Sequence, residues 1–119
     1  LIARGGLGNT IVTDLEGIND SHLNPGEMPI QFNTWAMYTL WANGTYWKQY
    51  LNGQFYSYEG NQVVPPSLTP IYNNYIGRSN WAQDAYLLGE ISVVQIYNRP
   101  LTDPELAQNF NYFRNRYGI

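Results

Sequence analysis

The last third of the chain constrains the fold most, because it encodes a strand, a corner and a helix in one continuous run. A long strand is predicted over residues 86–97, where apolar and β-branched residues are frequent on both sides of Gly89, and a shorter strand over residues 71–77 precedes it. Residues 98–100 read Asn-Arg-Pro, and proline ends a strand because it has no N–H to donate to a ladder. A helix is predicted over about residues 103–117.

Local signals mark both ends of this helix. Thr102 and Glu105 have the S/T-x-x-E spacing of a capping box, in which each side chain accepts from a free backbone N–H of the other residue. Gly118 follows as a stop signal. The apolar positions between them repeat at helical spacing, which predicts one stripe packed on a sheet. They are Leu106, Phe110, Phe113 and Tyr117.

Residues 35–58 predict a three-stranded antiparallel meander. The strand-like runs are residues 36–42, 45–51 and 54–58. Asn43-Gly44 and Asn52-Gly53 separate them, and Asn-Gly is a strong hairpin signal because type I′ turns need positive φ at both central residues. We therefore expect each pair at the tip of a two-residue hairpin, with most strand aromatics in cross-strand pairs.

The order of these features resembles a known family. The matching residues are a strand ending in Tyr50-Leu51-Asn52-Gly53, a strand end at Ile76-Gly77, the Gly89-x-Ile91 strand running into Tyr97-Asn98-Arg99, and a helix opened by Leu101-Thr102. Roughly residues 35–119 resemble the C-terminal half of a laminin G-like domain of the concanavalin A-like lectin and glucanase superfamily. The resemblance implies an all-β fold, an antiparallel jelly-roll sandwich with one short C-terminal helix. The final residues, 108–119, also resemble the ends of such domains in bacteriophage and other viral structural proteins.

The length of 119 residues indicates a single domain. Residues 1–34 are rich in glycine and proline and predict only short strands, at about residues 10–14 and 28–32. Laminin G-like domains are usually longer, and the chain starts at Leu1 rather than Met. This leaves open that the domain is incomplete at its N-terminus.

Composition excludes several classes of partner. The net charge is -3 and the six basic residues are dispersed, so no basic stripe could follow a nucleic-acid backbone. No apolar run approaches the roughly 20 residues that cross a bilayer, so no membrane insertion is expected.

Residue types also argue against catalysis. A glycosidase needs two carboxyl groups facing each other about 5 to 10 Å apart, whereas Glu90 is the only acidic residue on its predicted strand. The chain has no cysteine, and its single histidine, His22, is predicted in a loop. We expect no enzymatic activity and no catalytic residue.

Calcium is the one cofactor that the sequence leaves open. Asp14, Glu16 and Asp20 offer closely spaced carboxylate oxygens, which Ca²⁺ prefers as ligands. No defined calcium-loop pattern is present, so the alternative is that these side chains are simply solvated.

The loop over residues 78–84 is the best candidate for ligand binding. Its candidate residues are Arg78, Asn80, Trp81, Gln83 and Asp84. An aromatic ring offers an apolar face to the C–H groups of a pyranose, and Asn, Asp or Gln side chains pair with its hydroxyls. The alternative is that Trp81 covers a sheet edge.

The resemblance supplies the class of function. It implies a non-catalytic carbohydrate-binding or adhesion module of a virion or extracellular assembly, with glycans or other virion or extracellular proteins as partners. A purely structural capsid or fibre decoration, or cement protein, is the alternative, and a glucanase remnant is the third possibility. Fold alone does not decide among them.

Overall fold

The computed structural model describes residues 2–4, 10–13, 15–16, 22–23, 27–43, 46–60, 75–78 and 82–119. The strands in these ranges are β1 (Ile2–Arg4), β2 (Thr10–Thr13), β3 (Leu15–Glu16), β4 (His22–Leu23), β5 (Glu27–Pro29), β6 (Tyr38–Ala42), β7 (Tyr46–Leu51) and β8 (Gln54–Gly60). The chain ends in helix α1 (Asp103–Tyr117). In the described part, the strands form three antiparallel sheets, with orders β1-β2-β5, β3-β4 and β6-β7-β8.

The first sheet contributes a small buried core. Ile11 on β2 and Met28 on β5 are direct cross-strand partners, and both are buried. β2 agrees with the strand predicted at residues 10–14. β5 is shorter than predicted and ends at Pro29, since proline cannot extend the ladder. His22, predicted in a loop, instead lies on β4 and pairs in register with Glu16 on β3.

Tyr38 ties this first sheet to the meander. Its hydroxyl donates to the Pro29 carbonyl at 2.9 Å and accepts the Gln31 N–H at 3.0 Å. Burial raises the pKa of the Tyr38 hydroxyl above its ordinary value. The bonds hold the connection between β5 and β6 against the start of the meander.

The predicted meander is confirmed, including one of its two turns. Asn52 and Gly53 have φ of 49° and 72°, as a type I′ turn requires, and they connect paired Leu51 and Gln54. The other turn differs from prediction by one residue. Asn43 lies opposite Tyr46, accepting its N–H on the side-chain oxygen at 2.8 Å, so it precedes the tip rather than occupying it.

Helix α1 occupies the predicted residues, with both predicted end signals. The capping box is present, with the Thr102 N–H donating to Glu105 Oε2 at 2.8 Å. At the other end Gly118 adopts φ of 70°, and the Ile119 N–H donates to the Arg114 carbonyl at 3.0 Å. The predicted apolar stripe is the less exposed face of the helix, with Leu106 buried.

The helix packs on the meander. Phe110 lies against Gly53, so close that a Cβ at position 53 would be 2.6 Å from the ring. The Trp41 indole N–H donates to the Leu101 carbonyl at 2.6 Å. Burial raises the pKa of Tyr50, and the Asp103 carboxylate beside it raises it further. These contacts place the N-terminal half of α1 across β6, β7 and the second hairpin.

The strand predicted over residues 86–97 is not present as a strand. These residues are described and belong to no ladder. A strand exists only where a neighbour exchanges backbone hydrogen bonds with it, and among the described residues only Leu87 of this run makes such a bond, to the Gly77 carbonyl. Of the strand predicted at residues 71–77, residues 71–74 lie outside the described part, and Ile76 forms an isolated bridge.

Antiparallel sheets with a short C-terminal helix fit the all-β class that was predicted, while the complete jelly-roll sandwich stays a prediction. In the part of the chain described, α1 is neither long nor apolar enough to cross a membrane.

Candidate ligand-binding site

The loop over residues 78–84 lies between two chain segments that are held together. The Gly77 carbonyl accepts the Leu87 N–H at 2.8 Å. Gly77 has φ of 76°, which favours glycine, and the Leu87 side chain packs against it. This junction fixes the distance between the two ends of the loop, so residues just outside it face each other.

Arg78 contacts two tyrosine rings at this junction. Its guanidinium carbon is 4.6 Å from the centroid of Tyr75 and 5.9 Å from that of Tyr86. Both distances are within the range of a cation–π contact. Tyr75 is half-buried, whereas Tyr86 is 66% exposed. The arginine is therefore held in place while one of its two rings stays open to solvent.

The guanidinium N–H groups of Arg78 have no carboxylate partner among the described residues. Arg99 behaves differently, because its guanidinium binds both oxygens of Glu105 at 2.6 and 2.9 Å. Arg78 is exposed, and its contacts with the two tyrosine rings do not occupy its hydrogen-bond donors. The site thus presents five donors beside an exposed aromatic ring.

The remaining predicted loop residues fall on both sides of the described boundary. Gln83 is exposed and Asp84 half-buried, in a turn over residues 82–84. Asn80 and Trp81 lie outside the described residues, so their proposed roles stay predictions. Of the predicted loop residues, the structure places Arg78 against two tyrosine rings.

Sequence reasoning missed the two tyrosines of this site. Tyr75 was placed in one strand and Tyr86 in the next, which treated both as sheet residues. The signal was present in the arrangement itself: an aromatic residue stands just outside each end of the loop, with an arginine three residues after the first.

The predicted calcium ligands do not form a described site. Glu16 lies on β3, while Asp14 and Asp20 are outside the described residues. Among the residues described, no group of three acidic, histidine or cysteine side chains could hold a metal ion. Calcium binding by Asp14, Glu16 and Asp20 stays a prediction.

A second surface feature is the run over residues 88–97, which we call the apolar segment. Leu88 is 94% and Ile96 88% exposed. Side chains connect the segment to α1: Ser92 Oγ lies 2.6 Å from the Tyr117 hydroxyl, and Asn109 donates to the Tyr97 hydroxyl at 3.0 Å. No backbone hydrogen bond joins the apolar segment to another described residue.

Comparison with known proteins defines the class to which these sheets and this site belong. A laminin G family model, described as the concanavalin A-like lectin/glucanases superfamily, matches residues 6–107. The match spans most of the sequence, and the chain belongs to this family. The superfamily resemblance of the sequence is thereby confirmed, whereas its bacteriophage and viral part is not supported by any match.

A solved structure has a similar fold. It is the crystal structure of an S-layer domain-containing protein from Clostridium thermocellum, with a TM-score of 0.57 and 19% sequence identity. The alignment covers 85% of this chain and 50% of that one, so the chain spans about half the length of the solved structure. At this identity the likeness concerns the fold alone. No curated protein matches the chain.

Proposed function

We propose that this domain is a non-catalytic carbohydrate-binding module. The observation that carries the proposal is the Arg78 site, where a fixed guanidinium with free donors lies beside the exposed ring of Tyr86. Sugar sites combine an apolar face with a few fixed polar groups, and these residues supply both. Membership of a superfamily that includes lectins supports the same class.

We place the module in an extracellular assembly. The solved structure of similar fold is named an S-layer domain-containing protein, which favours a cell surface. Display on a virion, and glycans or virion proteins as partners, remain the alternative that the sequence suggested. In either setting the domain attaches the particle or cell that carries it to a saccharide.

The absence of catalysis is part of the proposal, because the superfamily also includes glucanases. Glu90 is exposed at the start of the apolar segment, and no other acidic residue lies on that segment. A retaining or inverting mechanism requires a second carboxyl group across the scissile bond. A glucanase remnant that keeps saccharide affinity without turnover would be the third reading of the same fold.

Substitution of Tyr86 tests the main proposal. A glycan array first identifies a ligand, and Tyr86→Ala should then weaken its binding at least tenfold, on the order of 1.4 kcal/mol. The physical reason is loss of the stacking face and of one ring against Arg78. Tyr112→Ala is the matched control, since Tyr112 is 78% exposed and belongs to α1 rather than to the loop or its two flanking segments.

The outcome contradicting this proposal is equally concrete. If the Tyr86→Ala and Tyr112→Ala variants bind the glycan with equal affinity, the Arg78 site does not take part in ligand binding. Trp81→Ala extends the test into the loop, where a tenfold loss with an unchanged thermal midpoint is expected. A lowered midpoint with intact binding would assign Trp81 a structural role instead.

The apolar segment favours the alternative, a structural decoration or cement protein. Monomeric proteins rarely leave contiguous apolar surface open, and such surface usually marks an interaction site. Here it coincides with a backbone that lacks ladder partners among the described residues. Pairing of this segment with a strand of another protein would satisfy both its side chains and its backbone.

A further inference from the structure

We propose that the Arg78 site recognises an acidic sugar, that is, a saccharide unit carrying a carboxylate. This inference rests on the carbohydrate-binding function proposed above and specifies its ligand class. It follows from the absence of an ion-pair partner for Arg78 among the described residues, from the planar shape of its guanidinium and from the charge of the chain.

The free donors of Arg78 favour a planar acceptor. The rings of Tyr75 and Tyr86 lie 4.6 Å and 5.9 Å from the guanidinium carbon and use none of its N–H groups as conventional donors, so these groups are open to a ligand. They form a rigid fork, which a carboxylate matches with two parallel hydrogen bonds. A neutral hydroxyl would use one or two of the donors and gain no charge pairing.

The guanidinium of Arg78 has no ion-pair partner within the described part of the chain. Arg99, which has Glu105 nearby, forms a two-pronged ion pair. Arg78 is exposed and forms no ion pair to a described residue. Its remaining described contacts are the two rings, which hold it in place without using its donors. The anion that completes this site is therefore expected from the ligand.

The surrounding charges favour a single carboxylate over a heavily sulfated polymer. A polyanion is bound by several cations acting together, whereas this chain carries a net charge of -3. Other described cations rest on rings elsewhere: Lys48 on Trp41, Arg114 on Phe110 and Arg116 on Tyr117.

Tyr86 provides the surface on which the sugar ring of the ligand would pack. Its exposed ring lies on one side of the guanidinium. A pyranose resting on that ring would bring a carboxylate on the same sugar to the arginine edge. A uronic acid or a sialic acid unit has both parts, an apolar ring face and a carboxylate.

The test uses an array of uronic-acid and sialic-acid oligosaccharides, each presented beside its methyl ester. Esterification removes the charge and keeps the sugar, so every acid has its own control. We expect at least one acid to bind the wild-type chain tenfold or more tightly than its ester. Arg78→Ala should abolish that difference, and Arg78→Lys should lose most of it, since lysine keeps the charge but not the fork. Arg116→Ala, which removes an exposed arginine that rests on one ring, should leave it unchanged.

Each other outcome overturns the inference and is distinguishable from failure of the proposed function. Equal binding of acids and esters, or binding of neutral glycans alone, would refute acid recognition while keeping a carbohydrate module. Preference for a sulfated galactan over every carboxylate, with the same dependence on Arg78, would refute the carboxylate assignment. Binding of no saccharide would refute the proposed function itself. The comparison of acid with ester in the wild-type chain needs no variant, so a misfolded Arg78→Ala protein would not prevent a decision.

Discussion

Gly53 shows how one residue can serve a turn and a packing contact together. Its φ of 72° is the left-handed conformation that the second position of a type I′ turn requires. Its missing side chain also leaves room for Phe110, whose ring atoms would lie 2.6 to 3.0 Å from a Cβ. The Asn-Gly pair thus brings the helix against the hairpin as well as reversing the chain.

Gly53→Ala should lower the free energy of unfolding by about 2 to 5 kcal/mol. A left-handed conformation costs a residue with a Cβ about 1 to 2 kcal/mol, and the overlap with Phe110 adds about 1 to 3 kcal/mol. Urea unfolding followed by circular dichroism measures the loss.

Gly118→Ala is the matched control for this substitution. Gly118 has a similar φ of 70°, yet nothing lies within 4 Å of its added Cβ. The control should therefore lose only the conformational part, about 1 to 2 kcal/mol. Equal losses in the two variants would show that Phe110 does not press on the turn.

At the scale of elements, charged and polar groups at the start of α1 bind one another. The guanidinium of Arg99 binds the Glu105 carboxylate, which also accepts the N–H and the hydroxyl of Thr102 at 2.8 and 3.0 Å. The hydrogen bond from Arg99 contributes most, and with those from Thr102 it lowers the pKa of Glu105 from 4.5 to about 2. The ionised carboxylate is thus held by the folded state.

The linkage predicts the direction of a pH effect. Because the folded state lowers the pKa of Glu105, this group stabilises the fold above pH 4.5, and the stabilisation is lost as the pH falls toward about 2. Glu105→Gln keeps the capping geometry but removes the charge. The wild-type thermal midpoint should exceed that of the variant at pH 7, and the difference should shrink through this window. A difference that stays constant down to pH 2 would contradict the ion pair.

The helix and the second hairpin could be predicted because their signals are local. The Thr102–Glu105 spacing and Gly118 fixed the ends of α1, and Asn52-Gly53 fixed a turn that depends on its own two residues. The first turn was misplaced by one residue because Asn43 was assigned to the tip. It lies instead just before the tip, where its side chain accepts the Tyr46 N–H. Asn-Gly therefore located the hairpin but not its register.

Features that depend on distant partners could not be predicted. Residues 86–97 have the composition of a strand, but composition does not supply the neighbour that a ladder needs. The contact of Arg78 with Tyr86 forms across a loop, and the bond between Gly77 and Leu87 that closes this loop has no sequence signature. The arginine could thus be nominated as a binding residue, whereas the rings that position it could not.

At the scale of the whole molecule, the first prediction concerns turnover. Incubation of the domain with β-glucans should release no reducing sugar, because hydrolysis requires a pair of carboxyl groups across the scissile bond. The control is Glu90→Gln, which should match the wild type in this assay. Turnover that disappears in this variant would make the domain a hydrolase and would assign Glu90 to catalysis.

The second prediction at this scale separates a glycan-binding module from a structural one. If the apolar segment is a docking surface, the domain should associate with itself as its concentration rises, because each copy offers an exposed apolar segment that can pair with another copy as a strand. Sedimentation velocity over a wide concentration range would detect the dimer. Ile96→Lys should restore the monomer, since a charge would then be buried between the paired strands. Tyr112→Lys, on the exposed face of the helix, should leave association unchanged. A wild-type chain that stays monomeric at high concentration, and still binds a saccharide through Arg78, would refute self-pairing of the segment and favour the carbohydrate-binding function.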